Sequence, residues 1–191
     1  MPPFIVHPNP LHHPDMEPSL DAIFASLSDF DLADGITCAV EDKYGYADLM
    51  KFPDRIPESH RIVHFIWSNT GFAECNGYVE FMMLDCHHVA LPAAFRFVGL
   101  DDLADIVDLM IDPVLASGSL GSQVALEAYF GGWDPFSEWV NQFERPLFRA
   151  SDRIRAAVAA YCRNNQFSFT TILPELRGTR AYKGQFTPEQ A

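Results

Sequence analysis

Apolar residues recur at helical spacing through most of this chain, and almost nowhere do they alternate as in a strand. Leu20, Ile23, Phe24 and Leu27 share one face of a first helix after Pro18-Ser19. Leu32, Ile36, Ala39 and Val40 mark a second, from about Asp31 to Asp42, broken by Tyr44-Gly45-Tyr46. Pro53 and Pro57 frame a loop before a third helix carrying Ile62, Val63, Ile66 and Trp67, with Gly71 ending or kinking it. A short helix runs through Tyr78, Phe81 and Met82, another spans His88 to Val98, and Asp101 caps a third with Leu103, Ile106, Val107 and Met110 inward. Gly118 to Ser122 and Gly131-Gly132 read as loops, and Asp134-Pro135 as a helix start. Ser151 caps a last helix over Asp152–Arg163, with Ile154, Val158 and Tyr161 facing in. Phe167–Ile172, FSFTTI, is the one segment rich enough in β-formers to suggest a strand.

The pattern predicts an all-α fold: a single compact domain of seven to nine short helices with at most one short strand pair. Its expected limits are 19–177, after a Pro-rich extended arm (1–18, six prolines) and before a flexible tail (178–191). With 191 residues and an apolar share of 48%, the chain can bury a full core.

Charge narrows the function. The chain has 26 acids and 13 bases, and residues 1–112 hold 19 of the acids against 5 bases. Residues 113–191 hold 7 acids and 8 bases, so the acidity belongs to the first part. Direct nucleic-acid binding and anionic membrane surfaces are disfavoured, because both need lysine and arginine against phosphate. A basic protein partner is favoured. The four widely spaced cysteines contain no CxxC and read as thiols of a reducing compartment. With no visible leader and no apolar stretch of membrane-span length, the expected location is cytoplasmic.

Between Glu74 and Asp112, Glu74, Asn76-Gly77 and Phe81 are followed by Leu91 to Gly99 and then by Leu103 to Met110. Tyr161 and Asn164 complete the order. This succession, over roughly residues 58–166, resembles the C-terminal-type domain of the DNA mimic protein family, most of whose members have no assigned activity. The chain departs from the family pattern where Tyr78 replaces a second glycine and Met82-Met83-Leu84-Asp85 replaces an aromatic pair and an asparagine. The resemblance implies an all-α fold and an acidic protein that occupies a DNA-binding protein by imitating DNA.

Asp101, Asp105, Asp108 and Asp112 stand at i, i+4, i+7 and i+11, one face of a helix. Their step of roughly 5–6 Å along the axis is comparable to the spacing of successive phosphates. The plain alternative is a solvated helix face. Asp31 and Asp34, with other acids between Asp29 and Asp48, are candidates to extend the negative surface. Glu74, Asn76, Gly77 and Phe81 read as structural, with Asn76 capping a helix and Glu74 or Glu80 bonding nearby amides.

Catalytic signals are weak. His60 and His64, at i, i+4, have a zinc-compatible spacing, but Arg61 stands where a metalloprotease needs its glutamate. His60 and His87 read as exposed, His64 and Cys86 as packed. Nucleophile elbow, P-loop and dinucleotide fingerprint are missing from the sequence. The expectation is a non-enzymatic interaction module without cofactor, a monomer or weak homodimer. Its expected partner is a basic protein such as a DNA-binding regulator. The alternatives are a small metal-dependent hydrolase using His60, His64 and nearby acids, or an immunity-type protein that binds one toxin.

Overall fold

A computed structural model describes residues 19–52 and 54–186; the Pro-rich segment 1–18, Pro53 and residues 187–191 lie outside it. The elements in order are α1 (Leu20–Ser26), α2 (Asp29–Tyr44), α3 (Tyr46–Leu49), α4 (Glu58–Asn76), α5 (Tyr78–Met83), α6 (Ala90–Phe97) and α7 (Asp101–Leu115). Then come α8 (Gln123–Phe130), α9 (Trp133–Arg149), α10 (Ser151–Asn164), the 3₁₀ helix η1 (Gln166–Ile172), α11 (Leu173–Gly178) and α12 (Arg180–Phe186). The all-α expectation holds, with twelve α-helices in place of seven to nine and no strand among the described residues.

Phe167–Ile172 is therefore not a strand. Its β-formers have no neighbouring strand to pair with, and a 3₁₀ turn instead drives Phe169 and Ile172, three apart, into the core while Phe167 stays 78% exposed. The stretch from 178, expected as a loose tail, continues into α12, where Tyr182 is buried.

α4 is the central helix. From Ser59 to Ile66 only Arg61 escapes burial, so α4 has no broad polar face. α2 packs against it, and α10, η1, α11 and α12 close over α2. On the other side α5 and α6 lie against α4, α7 against α6, and α9 against α5 and α7, with α8 on α9. One continuous apolar core runs through both groups.

Serine side chains cap the starts of α1 and α2. Ser19 and Ser28 accept from the backbone N–H groups of Ala22 and Asp31. The N-cap of α7 is Leu100 rather than Asp101, and that of α10 is Ala150 rather than Ser151, whose hydroxyl donates back to Phe148. α7 continues past Asp112 with Pro113 inside it. Near that proline the Tyr129 hydroxyl donates to the Pro113 carbonyl at 2.8 Å, and the Trp139 indole N–H to that of Met110 at 3.2 Å.

Candidate functional site

The four aspartates of α7 share its outer side: Asp101, Asp105 and Asp112 are exposed and Asp108 is half-buried. They do not form an unopposed row. Arg96, at the end of α6, donates to Asp105 at 2.7 Å and to Asp108 at 2.6 Å. Neighbouring Asp102 is held by both arms of the Arg153 guanidinium at 2.5 and 2.6 Å, which keeps its carboxyl below the usual range. Carboxylates at helical spacing repel, and a guanidinium on the adjacent helix relieves that repulsion in the middle of the row. Only the end members, Asp101 and Asp112, have no cation within 4 Å among the described residues.

Asp31 and Asp34 lie elsewhere, on α2, and have a different setting. Asp31 accepts from the Ser28 hydroxyl at 2.6 Å, and Asp34 from the Trp67 indole N–H at 3.3 Å. Neither forms an ion pair with a described lysine or arginine. Between them and the C-terminal helices is a cleft of about 610 Å³, lined by Leu27, Phe30, Asp31, Asp34, Arg180 and Ala181 among others.

Phe30 is 51% exposed and meets Trp67 edge-on, with ring centroids 5.4 Å apart. It also walls a second, largely apolar cavity of about 240 Å³ with Trp67, Thr70, Gly71, Cys75 and Ile154. Arg155 stands over Phe30 at 5.9 Å and reaches Asp152 at 3.0 Å and Glu74 at 3.6 Å. The sequence reading missed Phe30. Its signal was present: a large aromatic between Asp29 and Asp31, off the apolar stripe of α2.

Further along the same edge of α2, Glu41 accepts from His64 Nε2 at 3.0 Å and from the Ser68 hydroxyl at 3.1 Å. The His64 hydrogen bond, more than the opposing effect of burial, holds the Glu41 carboxyl below its ordinary value. Between these acids the Cys38 thiol is pushed up to about 11, first by burial and then by Asp34, Glu41 and Asp42.

His60 is fully buried, not exposed as its sequence position suggested. Its Nε2 donates to the Ser168 carbonyl at 2.8 Å and its ring stacks on Phe169 at 5.4 Å. His60 and His64 thus engage different partners, and the described residues contain no group of three or more His, Cys, Asp or Glu placed to hold a metal. No described helix is long and apolar enough to cross a membrane.

Glu74, Asn76, Gly77 and Phe81 lie about the turn from α4 to α5. Asn76 ends α4 and donates back to Phe72, so it does not cap the helix that follows. Gly77 has φ 89°, which favours glycine, and Phe81 is buried. The amide at this turn, the N–H of Tyr78, is taken by Glu144 from α9 at 2.6 Å, not by Glu74 or Glu80. Comparison of the chain with protein-family models, curated proteins and solved structures gives no match.

Proposed function

We propose that this protein is a non-enzymatic interaction module that receives a basic segment of another protein at the α2 edge. Asp31 and Asp34 stand without a countercharge ion pair beside an exposed phenylalanine, at the rim of a cleft large enough for side chains. That is the observation which carries the reading. A lysine or arginine entering there gains two carboxylates for its head, while Phe30 takes its stem or stacks on its guanidinium.

A net charge of −13 adds long-range attraction for such a segment. The resemblance to the DNA mimic family points the same way, since DNA-binding proteins carry basic surfaces. The centre of the proposed contact is α2. Asp105 and Asp108, already engaged by Arg96, contribute less; Asp101 and Asp112 remain available at the ends of the α7 row.

The test is calorimetric titration with an arginine- and lysine-rich peptide at low and high salt. The Asp31→Asn/Asp34→Asn protein should bind about tenfold more weakly, and the Asp105→Asn/Asp108→Asn protein within about threefold of the parent. Equal losses in both would reduce the effect to net charge alone and remove the assignment to α2.

A further inference from the structure

In a chain with twice as many acids as bases, most described arginines are ion-paired or bonded to carbonyls. Arg180 at the α2 cleft is not, and nor are Arg145 and Arg149: among the described residues neither of the last two has a hydrogen bond or an ion pair. They stand one turn apart on α9, roughly 6 Å along its axis, where like charges repel. A position in the last turn of α9 gives Arg149 a favourable helix end, but Arg145 lies before that turn.

Both line a cleft of about 410 Å³ with Arg153, over a floor that includes Leu103, Ile106, Pro146 and Ala150. Asp102 satisfies only Arg153. Two uncompensated guanidiniums thus border an apolar floor on an otherwise strongly acidic protein.

We infer that this cleft binds a small phosphate monoester whose apolar or aromatic body lies on the Ile106–Pro146 floor. Charge and shape select the ligand. A phosphate monoester carries close to two negative charges at neutral pH and offers three terminal oxygens. It can therefore take the forks of both Arg145 and Arg149, whereas one guanidinium already satisfies a carboxylate. The neighbouring α7 acids repel a longer polyanion, which disfavours a nucleic-acid backbone at the same place.

The experiment is an amide-resolved NMR titration of the full chain with phenyl phosphate, inorganic phosphate and benzoate, with thermal melts to confirm that each variant folds. Phenyl phosphate should bind tightest and shift amides of Leu103, Ile106, Arg145 and residues 147–153. Arg145→Gln/Arg149→Gln should weaken it about tenfold or more, and Arg55→Gln, whose partner is Asp48 outside the cleft, should leave it unchanged. Asp102→Asn, which releases the third guanidinium, should strengthen it. A merely structural role for these arginines would not produce opposite signs in the two variants. Binding unaffected by the double substitution, or benzoate binding as well as phenyl phosphate, would overturn the inference. A phosphotyrosyl peptide binding far tighter than phenyl phosphate would also overturn it, in favour of a protein ligand.

Discussion

Glu144 accepts a hydrogen bond from the backbone N–H of Tyr78 at 2.6 Å, tying the turn between α4 and α5 to a helix 66 residues further along the chain. The same carboxylate oxygen lies 3.1 Å from where a β-carbon on Gly77 would stand. One residue therefore satisfies the amide of the turn and limits what can occupy it.

Glu144→Ala should destabilise the protein by about 1–2 kcal/mol, because it leaves a part-buried amide without its charged acceptor. Glu144→Gln keeps an acceptor and should lose less. Gly77→Ala meets both the positive φ and the close oxygen and should cost about 1–2 kcal/mol. Urea denaturation midpoints of the three variants would rank them.

Removing Arg96 should reverse a salt effect. In the parent, Arg96 offsets Asp105 and Asp108, so added salt screens attraction along with repulsion at this patch. In Arg96→Gln the repulsion between Asp105 and Asp108 is left without its cation. The melting temperature of the variant should lie below that of the parent at low salt and approach it as sodium chloride is raised. A gap independent of salt would show that Arg96 acts through packing.

Stability should fall on mild acidification. Burial is the main cause that lowers the pKa of His60 and of His88 from 6.5, outweighing their backbone hydrogen bonds to Ser168 and Phe81. In His60, Nε2 donates to a carbonyl and Nδ1 is buried without a partner, so a second proton has nowhere favourable to go. The unfolded chain thus binds more protons than the folded one below pH 6.5, and stability is lost from there down to the folded values. His60→Gln and His88→Gln should each flatten the dependence below pH 6.5, read by denaturation at fixed pH values. Glu41 acts lower: its depressed folded pKa gives stability that is present above 4.5 and lost as pH falls through the folded value.

Gly35 sits where α11 and α12 cross α2, and a β-carbon there would stand 3.3 Å from Ala181 Cβ and 3.3 Å from Leu176 Cδ1. The leucine can swing aside, but the alanine on α12 cannot without moving its helix. Gly35→Val should cost about 1–3 kcal/mol and loosen the C-terminal helices first. Hydrogen exchange should show faster exchange across 173–186 while α4 stays protected.

The long amphipathic helices were readable because their apolar stripes repeat over several turns: α7 and α10 stand close to where Leu103–Met110 and Ile154–Tyr161 placed them. Among the short helices, α1, α5 and α6 were readable from two or more apolar positions on one face, but α8, α11 and α12 were not, because Leu126, Leu176 and Tyr182 are the one buried side chain described in each, too few to mark a stripe. His60 misled because the first half of α4 is buried nearly all round, polar residues included, so no exposed face separates a buried histidine from a solvated one. The α7 aspartates were visible as a row, but their neutralisation by Arg96 depends on how α6 and α7 pack. Likewise, nothing in the spacing of Phe30 and Trp67 shows that they meet.

The four thiols are sharply unequal. Burial pushes Cys38 to about 11 and Cys86 to about 12, and Cys162 higher still, while Cys75 is exposed at the wall of the Phe30–Trp67 cavity. Cys75 is therefore the most exposed attachment point that the unmodified chain offers for a maleimide dye or spin label, in a cavity wall shared with an indole that can quench it. Binding of a basic peptide at the proposed α2 site would then be followed optically without engineering a cysteine into the protein.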